Sequence, residues 1–214
     1  MLRIIVTYLA RPISRWLLRT VSFESPWERF VSPVPMGVYG LGARHDFRWY
    51  FEGESTVGVR SLEEMTEWLL GCEYASDPDL FQEADYWQHP CSFEQLRRGD
   101  CEDFSLWVWR KLIRLGYDAE FVAGRCVHPG CSRTGLGHTW VIFRHNRTTY
   151  LFDPTIRDRD QMIRPLAEVH YEYVPEVSID RRFTRYAYAG YSLKWRDQAD
   201  ASPRSTAVAL PQVG

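Results

Sequence analysis

Lysine is nearly missing from these 214 residues: Lys111 and Lys194 are the only two, so the positive charge is almost all guanidinium. That favours planar pairing with carboxylates over point-charge contacts. A basic excess is missing too, since 26 Lys and Arg stand against 28 Asp and Glu for a net charge of −2. Such a balance offers no field for neutralising phosphates, and nucleic acid is not an expected partner. No run approaches the ~20 apolar residues of a membrane span. There is no internal repeat, and 14 Gly and 12 Pro are too few for a collagen-like or disordered chain. The five cysteines (Cys72, Cys91, Cys101, Cys126, Cys131) are an odd number, so a complete disulfide framework would leave one thiol over. With no small-x-small cleavage site behind the apolar stretch from Leu2 to Ala10, we expect a reducing, cytoplasmic setting rather than a periplasmic one.

What the chain does contain is a core: 45% of residues are hydrophobic and 15% aromatic, enough at this length for one domain. We divide it into an N-terminal amphipathic helix and extended wrap (1–60), a catalytic domain (61–195, with its core motifs at 85–155) and a polar tail (196–214). In the first part Arg11, Arg15 and Arg19 recur opposite Ile13, Trp16, Leu17 and Val21, and the stretch 22–42 is broken by Pro26, Pro33, Pro35, Gly37, Gly40 and Gly42. The helix packs on its own domain in the simplest reading; the helix or the tail would otherwise dock a protein partner.

Ser61 and Glu64 form a capping box for a helix over 62–70 that Gly71 ends. Asp85-Tyr86-Trp87-Gln88-His89-Pro90 reads as an aromatic turn, and Ser92 with Gln95 opens another helical turn. From Cys101 to Leu115 the apolar residues cover most of a helix, with Gly116 at the position past its end. The period then becomes that of strands, at 119–123, 138–144 and 148–153, with a hairpin at Asn146-Arg147 and further strands over 171–177 and 185–192. The expected class is α+β.

Cys101 sits where a loop becomes the apolar helix. The unpaired N–H groups of a first helical turn favour a thiolate, while Glu102 and Asp103 oppose it, so a cationic partner is required. His138 is the candidate. If Asn146-Arg147 centres an even loop, paired positions sum to 293, which sets His138 opposite Thr155 and makes Asp153 its diagonal neighbour, within side-chain reach. A Cys, a His and an Asp so disposed form an activated thiol nucleophile. The set Cys126-x-His128-x-x-Cys131 has zinc-ligand types, but Pro129, Gly130, Gly135 and Gly137 mark a loop on the substrate side, in which Cys126 and Cys131 would pair under oxidation.

Gly99-Asp100-Cys101-Glu102-Asp103-Phe104, Gly137-His138-Thr139-Trp140 and Tyr150-Leu151-Phe152-Asp153-Pro154 resemble the three core motifs of the transglutaminase-like superfamily. With Tyr86-Trp87 and Pro90 upstream, the chain is most similar to the bacterial transglutaminase-like cysteine proteinases. The resemblance implies a papain-like fold with the nucleophile-bearing helix packed on an antiparallel sheet. It implies Cys101 as nucleophile, His138 as general base and acid, and Asp153 orienting His138. The expected function is thiol-dependent hydrolysis of an amide or peptide bond in a protein or peptide through a thioester. Amine transfer to glutamine and a non-catalytic, structural use of the fold are the alternatives. The Cys101 N–H is one oxyanion donor, with the Trp87 indole or the Gln88 amide as candidates for the second. No cofactor is required; Asp100 and Glu102 match acidic positions that bind calcium in some members.

Overall fold

A computed structural model describes residues 25–126 and 137–189. In chain order the elements are β1 (Arg29–Val31), α1 (Leu62–Leu70), β2 (Glu73–Tyr74), α2 (Asp77–Phe81), α3 (Pro90–Leu96), β3 (Arg98–Gly99), α4 (Cys101–Arg114), β4 (Asp118–Cys126), β5 (Gly137–His145), β6 (Thr148–Phe152), α5 (Arg159–Met162), β7 (Ile163–Pro165), α6 (Leu166–Val169), β8 (Tyr173–Asp180) and β9 (Arg185–Tyr188). A seven-stranded sheet runs β1-β9-β8-β4-β5-β6-β7, every pair antiparallel, and β2 and β3 form a separate parallel pair. The class is α+β, as expected.

Strand alternation divides β5 between two cores. Val141 and Phe143 point with Phe121 and Phe152 into the core under α4, while Trp140 and Ile142 point with Val122, Leu151 and Tyr173 to the opposite face. The α4 helix lies on the first face because its apolar residues cover most of its circumference: Phe104, Leu106, Trp107, Val108, Trp109 and Leu112 are all fully buried. It ends where Gly116 takes φ +89°, a left-handed conformation that glycine adopts without steric cost.

The hairpin has the anticipated register. Val141 pairs with Phe152, Ile142 with Leu151 and His145 with Thr148. Asn146 and Arg147 both have positive φ (49° and 67°), the two-residue turn whose twist matches that of the strands. The helix over 62–70 is also as read, with Ser61 Oγ accepting the Glu64 N–H at 3.2 Å, but the Glu64 carboxylate reaches the Arg60 N–H rather than that of Ser61.

Three local readings need correction. Ser92 and Gln95 do not open a helix: His89 caps it through Nδ1, which accepts the Cys91 N–H, and Pro90 occupies the first turn. Proline's missing N–H makes it a natural first residue of a helix. The stretch 22–42 is not wholly irregular, because Arg29–Val31 forms an edge strand on β9. Nor does the chain before residue 61 simply wrap, since Tyr39, Phe47 and Tyr50 belong to the main core. Arg11, Arg15 and Arg19 and the tail 196–214 lie outside the described residues. Among the described residues no helix is long and apolar enough to cross a membrane.

A buried ion pair anchors the segment before α1. Glu94 and Lys111 are 5% and 3% exposed and 2.8 Å apart; Glu94 also accepts from Ser55 Oγ, the Thr56 N–H and Trp107 Nε1. Burial opposes the Glu94 charge, but Lys111 and these donors outweigh it and hold the carboxyl at about 2. Glu94→Ala is expected to cost about 3–5 kcal/mol in chemical denaturation at pH 7, because Lys111 is left buried and uncompensated. With the folded value depressed, the contribution is complete above about pH 4.5 and fades as pH falls toward 2. A loss below about 1 kcal/mol at pH 7 would show that the pair is structurally idle.

Candidate active site

Cys101 is the first residue of α4, with Asp100 as N-cap in a capping box with Asp103. The box explains Gly99. A Cβ there would overlap the Asp103 carboxylate and approach Gln88 Nε2 to 2.8 Å, so a side chain at 99 would displace the group that starts the helix. Asp103 is fully buried and accepts from the Gln88 N–H at 2.7 Å, from the Gln88 side-chain amide and from the Asp100 N–H at 3.3 Å.

The thiol lies 3.2 Å from Glu102 Oε2, and His138 lines the same cleft as Cys101. His138 Nε2 is 2.8 Å from Asp153 Oδ2, which leaves Nδ1 for the thiol. Asp153 is 1% exposed, follows the last residue of β6, and has its other oxygen fixed by the Thr155 N–H (3.0 Å) and Oγ1 (2.7 Å). Burial disfavours charge on His138, but the Asp153 carboxylate and the Cys101 sulfur prevail and raise it to about 10. Burial likewise opposes the Asp153 charge, and His138 with Thr155 reverses this and holds the carboxyl below its usual range. The two directions agree: the pair is imidazolium and carboxylate at neutral pH.

The cleft over Cys101 has a volume of about 400 Å³, and Gly40, Leu41, Tyr74, Trp87, Gly137 and Glu176 are among its lining residues. Of the two oxyanion candidates, Gln88 does not line it. The Gln88 amide donates to Arg98 O (2.9 Å) and to Asp103, so both its hydrogens are committed to the helix cap and the assignment is withdrawn. Trp87 does line the cleft, with Nε1 donating to Asp85 Oδ1 at 2.9 Å.

Asp100 and Glu102 belong to a larger acidic group than the motif displays. Carboxylate oxygens of Asp77, Asp85 and Glu102 lie within 4.8 Å of one another, as do those of Asp77, Asp100 and Asp103. Burial and mutual repulsion push Glu102 and Asp103 well above the usual carboxylate range, and Asp77 to about 6. Asp77 Oδ1 is buried without a hydrogen-bond partner, and the described residues lining the cleft include no lysine or arginine. A concentrated set of hard oxygen donors with an orphaned buried oxygen fits a divalent cation such as calcium. Sequence reasoning missed Asp77 and Asp85. Asp85 stands beside Tyr86-Trp87 and is set in place by the Gly42 N–H (2.8 Å), where a Cβ on Gly42 would strike the Asp85 backbone. Cys126 is disulfide-bonded, so it is no zinc ligand; His128 and Cys131 lie outside the described residues.

No protein-family model matches the sequence, and no curated protein matches it. Among solved structures, Legionella pneumophila LapG is similar at 20% identity and a TM-score of 0.46, over 65% of this chain and 74% of that one. A calcium-bound form of LapG matches at 20% identity and 0.43, over 56% and 64%, and a TGase at 15% and 0.33, over 46% and 27%. An EGTA-treated form of LapG is matched over 60% of its length, so this chain spans less than two thirds of two of these LapG chains. Cys101 heads a buried helix, and His138 and Asp153 are joined at the end of the antiparallel sheet, so this α+β fold brings the three sequence motifs together at one site.

Proposed function

We propose that the chain is a thiol-dependent amide or peptide hydrolase acting on a protein or peptide. The supporting observation is the His138–Asp153 pair at 2.8 Å, with Cys101 and His138 lining one cleft. The Cys101 sulfur attacks the carbonyl carbon, and the C–N bond breaks as His138 protonates the departing amine. His138 then takes a proton from water, whose oxygen attacks the thioester carbon; the C–S bond breaks, the sulfur regains its proton and the new carboxylate leaves. Asp153 holds the imidazole ring and its charge throughout. The Cys101 N–H and the Trp87 indole serve the oxyanion, the indole turning from Asp85 as substrate enters. Asp77, Asp85, Asp100 and Glu102 would hold calcium, which would neutralise the carboxylates that crowd the thiol.

The test is incubation of wild type and Cys101→Ala with casein or a proteome mixture, with calcium, with and without an added primary amine. New termini that disappear in Cys101→Ala are expected. Incorporation of the amine without cleavage would replace hydrolysis by amine transfer, and neither product would leave the fold in a non-catalytic role.

A further inference from the structure

Tyr173 opens β8 opposite Cys126, the last residue of β4, and is 1% exposed. Its hydroxyl is 3.0 Å from Asp153 Oδ2, the same oxygen that meets His138 Nε2. The Arg164 guanidinium, held by Glu172 at 2.8 Å, is near enough for its charge to act on the phenol. The carboxylate sets the direction of the hydrogen bond. An ionised carboxylate only accepts, so the phenol proton goes to Asp153. The phenol ring lies 27° from the plane of the His138 imidazole with centroids 6.5 Å apart, and Trp140 supports it at 5.0 Å. One side chain therefore touches both partners of the ion pair.

We propose that Tyr173 is a positioning residue, which aims Asp153 Oδ2 at His138 and takes a share of the carboxylate's charge. Asp153 has its other oxygen fixed by Thr155, so without Tyr173 the carboxylate would stay in the site with Oδ2 bound to His138 alone. Arg164 acts through Tyr173: its positive charge nearby makes the phenol O–H the stronger donor. The charged and titratable groups facing His138 and Asp153 are Cys101 from α4, Tyr173 from β8 and, behind it, Arg164 from β7 with Glu172. The role rests on the reading of Cys101, His138 and Asp153 as one unit.

Tyr173→Phe keeps the ring and removes only the hydroxyl. In the full chain labelled with 15N-histidine, the proton between His138 Nε2 and Asp153 is expected to give a downfield resonance, assigned by its loss in His138→Ala. In Tyr173→Phe it should move further downfield, because the acceptor is no longer shared, and alkylation of Cys101 by iodoacetamide should slow about 2- to 10-fold, the effect of one hydrogen bond. An unmoved resonance in a folded Tyr173→Phe protein would overturn the role and leave Tyr173 as packing. Should that variant fail to fold, Arg164→Gln retains the phenol and is expected to shift the resonance the same way by less, and again an unmoved signal overturns the proposal. Fast alkylation of wild-type Cys101 with an unmoved resonance counts against Tyr173 alone. Cys101 reacting no faster than Cys72 counts against the three-residue unit itself.

Discussion

Replacing His138 with alanine is expected to slow the reaction of Cys101 with iodoacetamide about 30-fold at pH 7, with the rates of Cys72 and Cys91 unchanged. Iodoacetamide reacts with a thiolate, and His138 is the base and counter-charge that the site offers the sulfur, so its removal forfeits that assistance. The local environment gives no substitute for the imidazolium. Glu102 Oε2 is 3.2 Å from the sulfur, and the described residues lining the cleft include no lysine or arginine. Cys72 is the natural internal control, because burial pushes its thiol up despite Arg97 and Arg157 nearby. The same pair gives a pH signature in stability. His138 is raised in the folded protein to about 10, so its contribution is complete below about pH 6.5 and is lost as pH climbs through 10. The stability gap between wild type and His138→Ala should therefore narrow between pH 7 and 10. Equal alkylation rates for all three thiols would remove the case for an activated nucleophile.

The residues of that pair were legible in the sequence because a hairpin converts spacing into geometry. With a two-residue turn at Asn146-Arg147 the register is arithmetic, and the sum of 293 sets Asp153 beside His138. The helix carrying Cys101 was legible for a similar reason: an apolar face nearly all the way round, bounded by Asp100 and Gly116, admits few other readings. Legibility failed where contacts join segments remote in sequence. Tyr173 reaches Asp153 across 20 positions and depends on β8 pairing with β4, a register broken between Ala123 and Gly124 that no local pattern announces. Asp77 sits on a five-residue helix whose Ser-Asp-Pro-Asp start looks like ordinary helix initiation. Only the fold brings it against Glu102. Gln88 failed in the opposite way: its position upstream of the nucleophile suggested an oxyanion donor, whereas the buried Asp103 carboxylate had the prior demand on its amide.

Calcium at 1 mM is expected to raise the melting temperature at pH 8 by about 10 °C relative to protein in EGTA. For a site of about micromolar affinity the linkage is roughly 4 kcal/mol, and each kcal/mol moves a domain of this size by about 2–4 °C. The size of the effect follows from the state of the carboxylates without a cation. Burial and repulsion raise Glu102 and Asp103 well above their usual range and Asp77 to about 6, so the fold favours their protonated forms. Stability from that source is complete below about pH 4 and is lost as pH rises through these raised values, leaving the calcium-free protein weakest at alkaline pH. Calcium binds the ionised forms, so its stabilising shift should grow from pH 5 to pH 8. Asp77→Asn and Glu102→Gln separate this from general ion effects through two opposite signs. Each removes a repelling charge and should stabilise the calcium-free protein at pH 8, while each removes a ligand and should shrink the calcium response. A calcium shift of equal size in both variants, or none in the wild type at pH 8, would mean that the buried carboxylates are instead held as neutral acids around Cys101.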